Sequence, residues 1–244
     1  MTNEPKIIYE DKNFIALNKP AGLIVHQVSG AKQQENSLVD FLIKKYPEIK
    51  NVGDDPKMRP GVVHRLDKDT SGVILIARNQ RYFEYLKNLF QTSGIKKNYL
   101  ALVWGKINPP AGGAKGIIEK PISLKPGTTK RTVHGGKMTK EAITEYKAVK
   151  TYEFINEQGN VKYFSLVRVS PKTGRTHQIR IHLASIGHPI VGDSLYGAKE
   201  NPFGLKRQFL HAESLEFTTE ESKRMKIEAE LPEDLKSVLK NLEP

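Results

Sequence analysis

The chain has 244 residues, of which 38% are hydrophobic and 27% are charged, a composition typical of a folded globular protein. It contains no cysteine, which excludes disulfides, thiolate metal sites and cysteine nucleophiles. The 39 Lys and Arg residues exceed the 27 Asp and Glu residues, and the resulting formal charge of +12 favours a polyanionic partner. No apolar run approaches a membrane span and the N-terminal segment lacks the features of a secretory signal, so we expect a cytoplasmic protein with no membrane partner.

Short apolar runs separated by polar turns occupy the first part of the chain. Residues 7–10 and 14–17 predict two strands joined by a tight turn. Residues 37–46 carry apolar side chains at helical spacing, which predicts a helix with Ser37 as its N-cap. Val62-Val63 and residues 73–77 are β-branched runs, and they predict two buried strands that hold a polar loop between them.

The second part of the chain adds helices and several further strands. A helix is predicted at residues 81–90, and another at residues 176–186, where Gly187 ends it. Strands are predicted at residues 98–103, 143–149, 163–169 and 215–217. Because strands outnumber helices and few are joined through helices, we predict an α+β fold with a mixed, mostly antiparallel central sheet and flanking helices and loops. No linker divides the chain, so we expect residues 1–244 to form a single domain.

The segment from Lys120 to Lys140 is basic. It contains six Lys and Arg residues and no acidic residue, among Gly, Pro, Thr and Ser. This composition predicts a flexible loop that follows phosphates, and within it we select Lys130 and Arg131 as candidate residues for binding a phosphate backbone. The alternative is that the charge only serves solubility.

An acidic residue lies in the polar loop between the two β-branched runs. Residues 64–72 have the sequence HRLDKDTSG, which places Asp67 close to Arg65 and Lys68. An ionised carboxylate in a semi-buried pocket requires an opposite charge or hydrogen-bond donors. Asp67 is therefore either a structural residue that bonds its own loop or, given a partner cation, a catalytic carboxylate.

Arg180 is the candidate partner cation. Residues 173–183 have the sequence TGRTHQIRIHL, and at about 100° per residue Arg180 points away from the apolar stripe that includes Ile179. Ile181 lies near the same side as Arg180, so that side is packed rather than open to solvent. A guanidinium against a packed surface needs an anion, which is either Asp67 or another acid that only stabilises the fold.

Three histidines in this region raise the question of a metal ion. Two ligands on one helix converge at a spacing of three or four residues, whereas His177 and His182 are five residues apart and diverge by roughly 140°. His188 lies beyond the predicted helix. With no cysteine to complete a site, we expect no metal ion.

Tyr99 lies at the start of a predicted strand, shortly after the basic pair Lys96-Lys97. Tyrosine at such a place is usually a core or edge residue. An aromatic ring beside cations also suits a pocket that stacks a nucleic-acid base, so both interpretations stay open.

Four blocks, in this order along the chain, resemble the RluA family of pseudouridine synthases. They are NKPAG at residues 18–22 with Val25-His26, HRLD and TSG within residues 64–72, Tyr99, and TGRTHQIR at residues 173–180 followed by GHPI and GD up to residue 193. The match extends from about residue 7 to residue 217. The resemblance implies a pseudouridine synthase fold and an isomerase that converts specific uridines of structured RNA, ribosomal or transfer RNA, to pseudouridine without a cofactor.

The resemblance also implies roles for single residues. Asp67 would be the catalytic aspartate, Tyr99 would stack on the target uracil, and Arg180 would form an ion pair with Asp67. Arg65 would enter the RNA stack in place of the extruded uridine. The further candidate RNA-binding residues in these blocks are His64, Arg175 and His177.

Many members of this family carry an S4-like RNA-binding module before the catalytic domain, whereas here the NKPAG block begins at residue 18. We therefore expect no such module and RNA recognition by the catalytic domain alone. We also expect a monomer.

Two other functions are consistent with parts of the sequence. A non-catalytic RNA-binding or ribosome-assembly protein on the same scaffold would share the charge, but gives no reason for Asp67, Tyr99 and Arg180 to occur together. A glycoside hydrolase would use Asp67 and Asp69 as paired carboxylates. That spacing is poor for paired carboxylates in a loop, and the charge of +12 favours a polyanion over a neutral sugar.

Overall fold

Apolar runs that end at glycine, proline or short polar turns divide the chain into strands and helices. The structure, a computed structural model, describes residues 4–27, 36–107, 116–128, 130–155 and 158–242. Its strands are β1 (Lys6–Glu10), β2 (Phe14–Lys19), β3 (Ser71–Ala77), β4 (Lys96–Trp104), β5 (Gly116–Glu119), β6 (Ile122–Leu124), β7 (Arg131–Thr132), β8 (Lys137–Lys140), β9 (Ile143–Ile155), β10 (Val161–Pro171), β11 (Leu210–Thr218) and β12 (Arg224–Glu228). Its helices are α1 (Leu38–Lys45), α2 (Gln80–Gln91), α3 (Gln178–Ser185) and α4 (Glu233–Lys240), with a 3-10 helix at Pro47–Asn51.

The chain divides into two compact units. The first comprises Met1–Lys96 with Ala212–Glu230, and the second comprises Lys97–His211 with Leu231–Pro244. Our expectation of a single domain remains a prediction.

The first unit is a sheet in the strand order β1-β2-β3-β11, with β12 paired to β11. Strand β2 pairs antiparallel with both β1 and β3. All seven residues of β3 are buried, which explains its continuous apolar sequence because a strand covered on both faces has no reason to alternate. The aromatic residues of β2, α2 and β11 meet in the core, where Phe14 stacks on Tyr82 and contacts Phe217 edge-on.

The second unit is a sheet in the strand order β4-β10-β9-β5, in which each neighbouring pair is antiparallel. Strands β9 and β10 form a long pairing that is interrupted by a register shift between Leu166 and Val167. A separate small sheet has the order β7-β6-β8. Helix α3 contributes Ile179 and Leu183, and α4 contributes Leu235, to the core that also contains Val167.

Most predicted elements are confirmed. Ser37 caps α1 and forms a reciprocal capping box with Asp40, and α3 ends before Gly187, which has a positive φ of 82°. The predicted α+β fold class with a mostly antiparallel sheet is confirmed.

Several predictions were wrong or too short. Val62-Val63 does not form a strand, because Val62 makes only a single bridge to Ile76. The predicted flexible loop at residues 120–140 instead contains the small sheet β7-β6-β8, with Thr129 outside the described residues. Strands β5, β12 and helix α4 were not predicted. The Pro/Gly-rich segment after Asn108 lies mostly outside the described residues.

No helix in the described part of the chain is both long enough and apolar enough to cross a membrane.

Candidate active site

A buried lysine fixes the loop that carries Asp67. Lys19, at the end of β2, has no solvent exposure, and its Nζ donates hydrogen bonds to the carbonyl oxygens of Pro20 (2.8 Å), Leu23 (2.8 Å) and Lys68 (2.9 Å). The amide of Gly22 donates to the same Lys68 carbonyl at 3.0 Å. The NKPAG block therefore supports the residue that directly follows Asp67, which explains why an unusual buried lysine is placed here.

The loop contains exposed, half-buried and buried side chains. Arg65 is exposed, Leu66 is buried and Asp67 is half-buried. The amide of Thr70 donates to the carbonyl of Asp67 at 3.1 Å, which closes a tight turn. Gly72, the second residue of β3, has φ of +119°, and a Cβ at this position would lie 2.2 Å from the carbonyl oxygen of Ala212. Glycine is therefore required where the loop enters the sheet.

His64 has a structural place at the start of the loop. Its Nε2 accepts a hydrogen bond from the amide of Leu75 at 2.9 Å, and its ring stacks on Phe90 with 4.3 Å between centroids. Because Nε2 is an acceptor, the neutral tautomer with the proton on Nδ1 is the one that fits. The imidazole thus fastens the Asp67 loop to β3.

In the second unit, Arg180 lies on α3 and is 5% exposed, which agrees with the expectation that its side of the helix is packed. Its Nε donates to Oδ2 of Asp193 at 2.7 Å and its Nη2 donates to Oδ1 at 2.8 Å. The carboxylate of Asp193 also accepts hydrogen bonds from the amides of Leu195 and Tyr196. The sequence left two possible partners for Arg180, Asp67 or another acid. The structure shows Asp193 as a partner, and the Asp67–Arg180 pair remains a prediction.

The charge state of Asp193 follows from these contacts. Burial alone would raise its pKa, but the hydrogen bonds and charge of Arg180 and the two backbone amides lower the pKa below its ordinary value. Asp193 is therefore ionised at neutral pH and holds the guanidinium in one orientation. The pair accounts for two of the five N–H donors of Arg180.

Tyr196 connects Arg180 with the small basic sheet. The Arg180 guanidinium carbon lies 5.3 Å from the centre of the Tyr196 ring, a cation–π contact. The hydroxyl of Tyr196 accepts a hydrogen bond from the amide of Arg131 at 2.9 Å and lies 3.0 Å from Nδ1 of His177. Sequence reasoning missed Tyr196, although its position three residues after the GD pair was visible.

His177 has a backbone conformation that is uncommon for residues other than glycine. It precedes α3 in the left-handed region, with φ of 57° and ψ of 18°, and its side chain makes no helix cap. Such strain of about 1–3 kcal/mol persists only where surrounding contacts enforce it. Here the contact with Tyr196 directs the imidazole toward the small sheet.

Gln178 anchors the loop of Arg175, and it too was missed from the sequence. It is buried; its Oε1 accepts from the hydroxyl of Thr173 and the amide of Arg175, and its Nε2 donates to the carbonyl of Ile143. The half-buried Arg175 donates from Nε to the carbonyl of Glu141 at 2.9 Å.

Tyr99 and Lys97 lie two residues apart on β4, so their side chains leave the strand on the same face. Tyr99 is half-buried and packs against the core of the second unit. Lys97 is 8% exposed, and burial lowers its pKa, as do the charges of Lys172 and Arg175.

The two candidates in the basic segment differ in exposure. Lys130 is exposed, whereas Arg131 is half-buried in β7, and its Nε is enclosed with no hydrogen-bond partner among the residues that the structure describes. Lys120 instead caps α3, donating from Nζ to the carbonyl of Ser185 at 2.9 Å.

His182 is fully buried within the second unit. Its Nδ1 lies 2.9 Å from the hydroxyl of Thr144 and its Nε2 lies 2.9 Å from the carbonyl of Lys120. Burial lowers its pKa, which keeps the ring neutral. Within the described ranges, the acidic and histidine side chains form no group of three or more that could hold a metal ion.

Comparison with known proteins identifies the family. A family model described as RNA pseudouridylate synthase matches residues 13–185, a range that contains the Asp67 loop, Tyr99 and Arg180. The chain is 40% identical over 229 residues to an uncharacterized RNA pseudouridine synthase of Chloroflexus aurantiacus, and 34% identical over 235 residues to a ribosomal large subunit pseudouridine synthase D of Borreliella burgdorferi. These alignments cover 93% and 96% of the chain, and 66% and 68% of the relatives, so the chain spans about two thirds of their length.

Solved structures agree with this assignment at the level of the fold. Human RNA Pseudouridylate Synthase Domain Containing 1 superposes with a TM-score of 0.72 at 23% identity, covering 95% of this chain and 85% of the human one. Human RNA Pseudouridylate Synthase Domain Containing 4 gives 0.68 at 25% identity, with 97% and 92% covered. The solved structures therefore share the fold of this chain, and the sequence match gives its family. The chain belongs to the RNA pseudouridylate synthase family and is of the RluA type.

Proposed function

We propose that this chain isomerises specific uridines in structured RNA to pseudouridine, with Asp67 as the catalytic carboxylate and with ribosomal RNA of the large subunit as the substrate class. The family match over residues 13–185 carries the proposal, because it includes every residue to which the chemistry is assigned. Relatives that are named ribosomal large subunit pseudouridine synthase D support the choice of RNA. The net charge of +12 suits a polyanionic substrate.

The reaction breaks the bond between C1′ and N1 of a uridine, turns the uracil, and joins C5 to C1′, while C5 loses its proton and N1 gains one. Atoms and electrons balance within the nucleotide, so no cofactor is required. Because the target atoms are enclosed in folded RNA, the nucleotide must first be extruded, which costs a few kcal/mol. Stacking of the uracil on Tyr99, and insertion of the exposed Arg65 into the gap left in the RNA, offset part of that cost.

Asp67 acts as an anion, so its surroundings must favour the charged form. We assign this task to Arg180, whose guanidinium is held by Asp193 in a fixed orientation. Two donors are committed to Asp193, and a planar guanidinium can serve a second carboxylate with its other edge. Asp193 is thus a positioning residue that acts through Arg180.

We propose that fewer of the candidate residues contact RNA than the sequence indicated. Arg65 and Lys130 are exposed and Arg175 is half-buried, so they keep their proposed phosphate or base contacts. His64 is engaged with Leu75 and Phe90, and we propose a structural role for it instead. His177 orients Tyr196 beside the basic sheet.

The test is to incubate the chain with an unmodified transcript of large-subunit ribosomal RNA and to map pseudouridine. The wild type should form product, whereas Asp67→Asn should form none while its RNA affinity stays within about twofold, because shape is kept and only the reactive charge is lost. Asp54→Asn is the matched control, since Asp54 is a partly exposed acid of the same unit that pairs with Lys87. Product from Asp67→Asn at the wild-type rate would contradict the role of Asp67, and no product from the wild type would favour a non-catalytic RNA-binding protein.

A further inference from the structure

Lys97 is a buried cation that the proposed chemistry leaves unused. It is 8% exposed, and a single long hydrogen bond, 3.5 Å from Nζ to the carbonyl of Thr173, is all that holds its ammonium among the described residues. No carboxylate in the described ranges pairs with it. Burying an ammonium without an anion is costly, so this arrangement is unfavourable for the fold by itself.

The neighbours of Lys97 increase this cost. Lys172 and Arg175 lie close enough for their charges to act on Lys97, and both repel it. Lys172 has its own acid, Glu145, with Nζ 3.0 Å from Oε1. Arg175 donates to the backbone carbonyl of Glu141. Lys97, Lys172 and Arg175 therefore bring three positive charges together on this side of the second unit.

The position of Lys97 on β4 limits the anion that it could meet. Residues two apart on a strand are separated by about 6.6–6.8 Å and face the same side, so the ammonium of Lys97 extends on the side of Tyr99. When a base stacks on Tyr99, the ribose and phosphate of the same nucleotide lie close to the Tyr99 ring. A phosphodiester can therefore reach Lys97 while the base occupies Tyr99.

We infer that Lys97, Lys172 and Arg175 form a phosphate-binding site that holds an RNA phosphodiester next to the nucleotide whose base stacks on Tyr99. The inference rests on the proposed function for the identity of the stacked base. The phosphodiester supplies the negative charge that pairs with the buried ammonium of Lys97. The cost of burying that ammonium in the free protein is relieved when RNA binds, which strengthens RNA binding. The site fixes the backbone of the extruded nucleotide, which is a positioning role.

The variant Lys97→Met tests this site because methionine fills a similar volume without charge. Binding to a transcript of large-subunit ribosomal RNA should weaken about tenfold, and the slope of log affinity against log salt should fall by about 0.7–0.9, the value for one phosphate contact. Lys97→Arg should retain most of the affinity. Lys206→Met is the control for loss of a charge at an exposed position of the same unit, and its affinity should stay within about twofold.

Three results would overturn the inference. One is that Lys97→Met binds RNA with the affinity and the salt slope of the wild type, while the wild type forms pseudouridine. That result would support the proposed function and contradict the phosphate-binding site. Another is a lower thermal midpoint of Lys97→Met than of the wild type. Removing the ammonium lowers the midpoint if the ammonium stabilises the fold, but not if it is buried without a compensating negative charge. A third uses inorganic phosphate as the probe: stabilisation that requires Lys97 but does not compete with the RNA would assign the site to a free anion.

Discussion

The guanidinium of Arg180 and the carboxylate of Asp193 form a buried, bidentate pair with Nε–Oδ2 and Nη2–Oδ1 distances of 2.7 and 2.8 Å. The side chain of Asp193 has no exposure and that of Arg180 has 6%. Two backbone amides complete the hydrogen bonds of the carboxylate. Arg180, which we propose as the partner of Asp67, is therefore already held in place by Asp193, an acid of its own unit.

Removing that acid should destabilise the protein strongly. Asp193→Ala leaves the Arg180 charge buried without its partner, which costs about 3–5 kcal/mol in the free energy of unfolding. Asp234→Ala is the matched control: Arg207 and Asp234 form the same bidentate geometry and Arg207 is as buried as Arg180, but the Asp234 side chain is 46% exposed, so water can replace its carboxylate. Denaturant unfolding of both variants measures the difference, and equal losses would show that burial of the Asp193 pair has no special weight.

The same pair predicts a pH dependence of stability. The folded pKa of Asp193 is lowered from the ordinary value of about 3.9, so the stability it contributes is fully present above that value. It is lost as the pH falls through the lower folded pKa. The difference in unfolding free energy between wild type and Asp193→Asn should therefore be constant above about pH 5 and shrink below about pH 4. A difference that grows on acidification would contradict the assignment of an ionised Asp193.

Lys19 should be required for the Asp67 loop. Lys19→Met removes a donor from three carbonyl oxygens, and each buried acceptor left unsatisfied costs about 1–3 kcal/mol. The Lys68 carbonyl keeps only the hydrogen bond from the Gly22 amide. We expect lower stability and, under conditions where the variant is folded, a large loss of pseudouridine formation because Lys68 and hence Asp67 are held less firmly. Lys6→Met, at an exposed position of β1, is the control. Full activity of folded Lys19→Met would show that the loop keeps its shape without the ammonium.

Tyr99 should contribute to RNA affinity through its ring. Tyr99→Ala should weaken binding of the ribosomal RNA transcript by about 1–3 kcal/mol, the range for one base stacked on an aromatic side chain. Tyr99→Phe keeps the ring and should bind like the wild type, so any fall in its rate of product formation reports on the hydroxyl. Equal affinities of Tyr99→Ala and wild type would remove Tyr99 from the base-stacking role.

The small basic sheet should contribute long-range attraction. Replacing Lys130 and Arg131 together by Ala should reduce the salt slope of RNA binding by about 0.7–0.9 for each phosphate that the protein no longer binds, without changing the rate at saturating RNA. Lys130 is exposed and can be replaced without a structural cost, whereas Arg131 also fills space in β7. The single variant Lys130→Ala is therefore measured beside the double variant. An unchanged slope would show that this sheet does not meet the RNA.

The sequence by itself determined most of the elements and the family. Apolar runs, the Ser37 cap and the end of α3 before Gly187 depend on local preferences of neighbouring residues, so they could be predicted one segment at a time. The HRLDKDTSG and TGRTHQIR blocks supplied Asp67 and Arg180 as candidate site residues for the same reason, since each motif is continuous in the chain.

Only the tertiary structure decided which distant groups meet. The hydrogen bonds from Lys19 to the carbonyl of Lys68, the contact of Tyr196 with the Arg131 amide and the burial of Lys97 all join residues that are far apart in sequence or depend on packing from several elements. The basic segment shows the limit most clearly: its composition predicts a loop, but strand pairing of β6 with β7 and β8 satisfies its backbone instead. Local composition cannot reveal such pairings, because hydrogen bonds between strands are made with partners that only the folded chain brings together.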